Sequence, residues 1–273
     1  MTFVRGRIYE DPAIPDVSPP DRKEMWRSAI TTLAKFHRVD PKSVGMGDFG
    51  REGGFYNRQI KTFSKLSEDQ AATKDVESGE AVGAIPHYEE ITSFLSDAAT
   101  QPKDRSTFVH GDYKIDNLIF HPEKPEVIGI IDWEMATLGH PLSDLANLIM
   151  PMSIAAPQYT HLAADSGRKN PSFHSETHLE GLPSRAEAMA WYSEAVGWEV
   201  KDEEMMWAEA FGIFRGSIIM QGIAARYAVR QASSTRAREY GAQMEPMGRM
   251  AWEFVKEVKK LGRSREGEGR AKL

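Results

Sequence analysis

His110-Gly111-Asp112-Tyr113-Lys114-Ile115-Asp116-Asn117 is followed, after two short apolar runs, by Ile130-Ile131-Asp132-Trp133-Glu134. Leu118-Ile119-Phe120 and Val127-Ile128-Gly129-Ile130-Ile131 read as two buried strands, and His121-Pro122-Glu123-Lys124-Pro125 between them reads as the turn of a hairpin. Such a hairpin returns Asp132 to the side of Asn117. An Asp, an Asn five residues on and a second Asp past a strand pair are the acidic apparatus that phosphoryl transfer from Mg·ATP requires.

The chemistry accounts for each residue type. A hydroxyl nucleophile needs a carboxylate that can accept its proton, and Asp112, on a loop leaving the apolar run Phe108-Val109, is placed to meet one. Magnesium prefers hard oxygen ligands and keeps several waters, so one carboxylate and one amide beside the phosphates suffice. Asn117 and Asp132 fit that need. Taken singly these residues are turn and cap formers. Their order and spacing together give the functional reading.

The pattern His110-x-Asp112-x₄-Asn117, with Asp132-Trp133-Glu134 and Ser143-Asp144-Leu145-Ala146, resembles the aminoglycoside phosphotransferase and choline kinase-like family, which shares its fold with protein kinases. The likeness runs from about Phe3 to the helices near residue 255. Tyr113 after the first Asp and the Trp-Glu pair after the second resemble the subgroup whose kinase-like domain is fused to some acyl-CoA dehydrogenases. The resemblance implies Asp112 as base and Asn117 and Asp132 as metal ligands, with Mg²⁺ and ATP as cofactors. It implies that Lys114 touches the γ-phosphate, that His110 packs beneath the loop, and that Asp144 holds the loop by accepting backbone N–H bonds. Glu134 is read between a solvated carboxylate and a supporting partner of the site.

The fold expected is α+β and mostly α, a protein kinase-like C-terminal lobe whose short β-hairpin carries the catalytic loop. Residues 1–10 are expected to be the hinge and the remnant of an N-terminal lobe, with Phe3 and Val4 behind the adenine. Residues 11–260 are expected to form the helical lobe, and 261–273 a disordered tail. No Gly-rich hairpin precedes the loop, and the lysines before it (Lys23, Lys35, Lys42, Lys61, Lys65, Lys74 and Lys103) lie in helical or loop contexts. Three readings of that absence stay open: a truncated chain, a small lobe supplied by another chain, or a kinase-like module that binds without turning over ATP.

Gly45-Met46-Gly47-Asp48-Phe49-Gly50 is a literal G-x-G-x-x-G that also spells a kinase magnesium motif. It follows an amphipathic helix rather than a strand and precedes the catalytic loop, so it reads as an ordinary connection. Helices are expected at Ser18–His37, Phe55–Leu66, Tyr88–Ala99, Pro141–Met150, from the capping box Ser184-Arg185-Ala186-Glu187, and over Lys201–Gln231 and Thr235–Lys260. Asp69–Gly83 is expected to be a mobile loop.

Composition narrows the partners. The 273 residues carry no Cys, which removes disulfides and thiolate metal sites, and a net charge of −6, which argues against nucleic acid. No stretch is long and apolar enough for a membrane span. Arg215, Arg226 and Arg230 lie on the late helices, which in the family line the acceptor side of the cleft. They favour an anionic acceptor, a hydroxyacyl-CoA first, over a polycationic aminoglycoside. Ala271-Lys272-Leu273 resembles the tripeptide read by the peroxisomal import receptor. The expected location is therefore peroxisomal in a eukaryote and cytoplasmic otherwise.

Overall fold

The computed structural model describes residues 4–156, 159, 171–174 and 177–270. Phe3 and the tripeptide Ala271-Lys272-Leu273 lie outside the described residues. In chain order the elements are helices α1 (Pro19–His37), α2 (Phe55–Ala72) and α3 (Tyr88–Ser96), strands β1 (Thr107–Val109), β2 (Leu118–Phe120), β3 (Val127–Ile130) and β4 (Thr137–Gly139), then helices α4 (Leu142–Ile154), α5 (Arg185–Val196), α6 (Asp202–Ala228), α7 (Ala237–Gly241) and α8 (Met244–Arg270). Short 3₁₀ turns at Ile115–Asn117 and Trp133–Met135 flank the hairpin. No described helix is long and apolar enough to cross a membrane.

The body that the sequence groups as one lobe from 11 to 260 divides into two compact units, and the chain passes between them several times. The first takes the described residues of 1–55, 104–157 and 170–201, and so holds the whole hairpin region. Its framework is α1, which buries Met25, Trp26, Ile30, Leu33 and His37 at helical spacing. Ser18 caps that helix by accepting the Asp21 N–H, with proline at the first turn. Arg22 is buried inside the first unit, and its guanidinium donates to the carbonyls of Ile14, Pro15, Val17 and Glu180. Burial lowers its pKa, opposed by the Glu180 charge.

Two antiparallel pairs complete this unit. β1 runs against β4 with Phe108 opposite Leu138, and β2 against β3 with Leu118 opposite Ile130. Arg7 exchanges backbone hydrogen bonds of 2.8 Å with Phe120 and donates its guanidinium to the carbonyls of His121 and Lys124, which fastens the N-terminal segment to the hairpin. β2 is fully buried, but β3 is not the buried strand expected: it is half-exposed, with Ile128 41% accessible. The apolar run reads as buried from composition alone, whereas β3 is the outer strand of its pair. Gly45–Gly50 forms turns, and Gly50 is there for contact, since a Cβ would come within 2.9 Å of the Leu138 amide.

The second unit takes the described residues of 56–103, 158–169 and 202–273. It is built on α6 and α8, with Trp207, Phe211 and Tyr56 packed ring to ring. Several boundaries differ from expectation: α3 ends at Ser96, and the helix expected over Thr235–Lys260 is divided into α7 and α8. α2 continues to Ala72 into the stretch read as mobile, and beyond it the chain makes a turn in which Asp75 accepts the N–H groups of Glu77 and Ser78. α4 runs past Pro151, because a proline late in a helix forfeits one bond without ending the packing of Met152 and Ile154. α8 extends to Arg270, through residues read as a disordered tail from 261.

Candidate active site

β1 delivers the chain to His110, and the loop then turns on Gly111, whose φ is +87°. A Cβ at Gly111 would stand 2.7 Å from the Met135 carbonyl oxygen, so only glycine fits both the conformation and the space. The first turn of α4 points the fully buried Asp144 carboxylate at this corner. It accepts the N–H groups of His110 (2.7 Å) and Gly111 (2.8 Å), and the His37 ring nitrogen at 3.3 Å. His37 is itself 2.6 Å from the Tyr192 hydroxyl, whose pKa burial pushes up.

The His110 ring is a cross-brace. Its Nδ1 accepts the Asp112 N–H at 3.2 Å, which leaves Nε2 to donate to the Ile131 carbonyl at 2.9 Å. Trp133 packs edge-on against it at 4.8 Å. One ring therefore ties the loop bearing Asp112 to the strand end bearing Asp132. Tyr113 points inward, fully buried, and donates to the Ala29 carbonyl at 2.8 Å. Burial raises its phenol well above the usual range.

Asp112 is held on both carboxylate oxygens. The Asn147 amide donates to one at 3.2 Å and the Asn117 amide to the other at 3.1 Å, while the Asn117 amide also donates to the Asp112 carbonyl at 2.8 Å. Lys114 Nζ is 3.4 Å from Asp112 and 3.1 Å from Asp116. Partial burial works to lower its pKa, but the Asp112 and Asp116 carboxylates outweigh it and raise the value, keeping a cation in the loop.

The hairpin register brings the second acid in. Ile131 N–H donates to the Asn117 carbonyl at 3.0 Å, and Asp132 is the next residue. Asp132 is a non-glycine residue in the left-handed region, φ +67° and ψ +54°, exposed and with no side-chain partner among the described residues. Strain of that kind collects at functional positions.

The residues suit a magnesium nucleotide. Asn117 spends its amide nitrogen on Asp112, which turns its oxygen away as a free acceptor, and Asp132 offers an unpaired carboxylate. Among the described residues no three His, Cys, Asp or Glu side chains gather as a closed cage. Magnesium needs no such cage when phosphates complete its shell.

Glu134 and Val4 take no part in these hydrogen bonds. Glu134 is exposed and has no side-chain partner among the described residues, so its carboxylate is solvated rather than supporting. Val4 is 39% exposed. Arg215, Arg226 and Arg230 all belong to the second unit, and Arg226 is exposed there. Arg230 is engaged within that unit by Asp75 and Glu77, each at 2.9 Å. Hydrogen bonding to the Ser78 N–H and to Arg230 holds Asp75 down at about 2. Conversely, sequence reasoning passed over Asn147 and His37. Asn147 carried a signal, being a polar residue three positions after Asp144 on a mostly apolar helix. His37 sits at the period of the buried face of α1 and reads there as one more core position.

A family model described as the phosphotransferase enzyme family matches residues 1–200. The chain belongs to this family. A crystal structure of a protein of Ralstonia eutropha JMP134, provisionally named an aminoglycoside phosphotransferase, superposes with a TM-score of 0.78 at 32% identity, covering 93% of this chain and 71% of that one. Acyl-CoA dehydrogenase family member 11 of Gallus gallus is 31% identical over 263 residues, 94% of this chain and 31% of its own length. Family member 10 of Mus musculus is 32% identical over 259 residues, 93% of this chain and 22% of its length. The chain thus spans less than a third of the curated relatives it matches. With these relatives the fold is that of a kinase-like C-terminal lobe, mostly helical with a small β component.

Proposed function

We propose that this phosphotransferase-family chain moves the γ-phosphoryl group of Mg·ATP to a hydroxyl of a small molecule. The observation that carries the reading is the pair of carboxylates flanking one hairpin, Asp112 fixed by two amides and Asp132 left unpaired in a strained conformation. Asp112 accepts the hydroxyl proton as the acceptor oxygen bonds to phosphorus and the bond to the ADP oxygen breaks. Its orientation is set before substrate arrives. Lys114, kept cationic by its two acidic neighbours, donates to a phosphoryl oxygen where negative charge builds. Asn117 and Asp132 hold Mg²⁺, which when bound neutralises charge on the phosphates.

For the acceptor we take a hydroxyacyl-CoA. The support is the likeness, over nearly the whole chain, to proteins named as acyl-CoA dehydrogenase family members. Arg230 adds little to that support, being engaged by Asp75 and Glu77.

Calorimetric titration with ATP, with and without Mg²⁺, tests the nucleotide half. Magnesium-dependent binding is expected in the wild type and in Asp112→Asn, and is expected to vanish in Asp132→Ala. Turnover with a panel of hydroxyacyl-CoAs, free hydroxy acids and aminoglycosides tests the rest, with Asp112→Asn expected to lose about 10²–10⁴-fold in rate. Unchanged turnover in that variant would remove Asp112 as the base, and preference for the aminoglycosides would remove the acyl-CoA assignment.

A further inference from the structure

Within the first unit, α1 and α5 enclose a groove of about 420 Å³ lined by Arg27, Thr31, Lys35, Arg38, Trp191 and Glu194, with Ala195 at its edge. That volume is in the range of small-molecule sites. Arg27, Thr31 and Lys35 recur every four residues along one stripe of α1, and Arg38 stands at its C-cap. The Arg38 guanidinium reaches across to the Ala195 carbonyl at 3.4 Å, aiming it at the groove. Arg27 and Lys35 meet no carboxylate among the described residues, although Glu194 shares the same lining. By contrast Lys23, one turn earlier, is paired with Glu187 and lies 5.8 Å from the Trp191 ring.

A basic helix face is ordinarily just solvated. Three things separate this one from that case. The cations, though exposed, line a defined groove whose other wall is a second helix. Lys35 and Arg38 repel each other at i,i+3 with no acid on α1 between them to compensate. Three cations against the single Glu194 also leave a local excess of two positive charges in a chain whose net charge is −6. A phosphate dianion matches that excess, and guanidinium forks match its oxygens better than they match a halide or a lone carboxylate. Trp191 gives the wall a flat apolar surface for the rest of the molecule.

We propose that this groove binds a phosphate-bearing small molecule, its phosphate held by Arg27, Lys35 and Arg38 and its planar body against Trp191. The site is independent of the phosphotransferase reading, because none of its residues belongs to the Asp112–Asp132 cluster.

The test uses 1-naphthyl phosphate and 1-naphthol in metal-free buffer containing EDTA, followed by the indole N–H resonance of Trp191, assigned by its disappearance in Trp191→Phe. Saturable movement of that resonance by the phosphate but not by naphthol is expected. Affinity should fall at least about tenfold in Arg27→Ala/Lys35→Ala, survive in Lys35→Arg, and be unchanged in Asp132→Ala. Equal response to naphthol, full affinity in the double variant, loss in Asp132→Ala or no response at all would each overturn the proposal.

Discussion

Asp112 and Asp132 flank one hairpin, before its first strand and after its second, and are held in opposite ways. Asp112 receives amide N–H groups from Asn117 and Asn147 and lies beside Lys114, on a loop fastened by Asp144 and His110. Asp132 projects from a left-handed residue, exposed, with no side-chain partner among the described residues. A proton acceptor must already point the right way when a substrate hydroxyl arrives, and fixed dipoles achieve this without reorganisation. A cation ligand works the other way, because every hydrogen bond it made beforehand would have to be surrendered to the metal. The contrast separates a preorganised half of the site from a half kept open.

That contrast can be broken at its stronger side first. Asp144→Ala strips partners from two backbone N–H groups and the His37 ring at once, and should cost about 3–5 kcal/mol in urea unfolding. A loss under about 1 kcal/mol would mean that the loop is held by something other than this carboxylate. Gly111→Ala forces a Cβ towards the Met135 carbonyl at positive φ, with an expected cost of about 1–3 kcal/mol by the same measurement. Asn147→Ala frees one Asp112 oxygen and should lower stability by about 1 kcal/mol. The open half should respond with the other sign. Asp132→Gly relieves a left-handed side chain and should raise stability by up to about 1 kcal/mol while the magnesium dependence of ATP binding disappears. Destabilisation there would show that Asp132 is braced after all.

Most of the fold was legible because helices announce themselves locally. Ser18-Pro19 and the Ser184–Glu187 box set two helix starts, and Trp26, Ile30, Leu33 and His37 mark the buried face of α1. The hairpin was legible for the same reason, its two strands and their turn being contiguous. The exposure of β3 was not, since Val127–Ile130 is apolar whether or not anything covers it. At the site, Asp112, Asn117 and Asp132 could be found by spacing within a short stretch. The supports from afar could not: His37 lies 107 positions from Asp144 and 155 from Tyr192, and nothing in its own neighbourhood distinguishes it from a core residue. Asn147 was available from helical spacing but is uninformative until α4 is known to face the loop. The pairing of Arg230 was not legible either, because charge on a helix is visible in sequence while its partners, here Asp75 and Glu77 some 155 residues away, are not.

Arg22 carries a consequence for how the chain is made. Its guanidinium clamps the carbonyls of Ile14, Pro15 and Val17, which leave the ribosome just before it, but also that of Glu180, 158 positions later. At about 5–20 residues per second the last of these acceptors is synthesised roughly 8–30 seconds after the donor. Until then a cation destined for burial waits with one of its acceptors unmade. The segment from Ile14 to Arg22 is thus made well before the last of its acceptors and fully secured only after it.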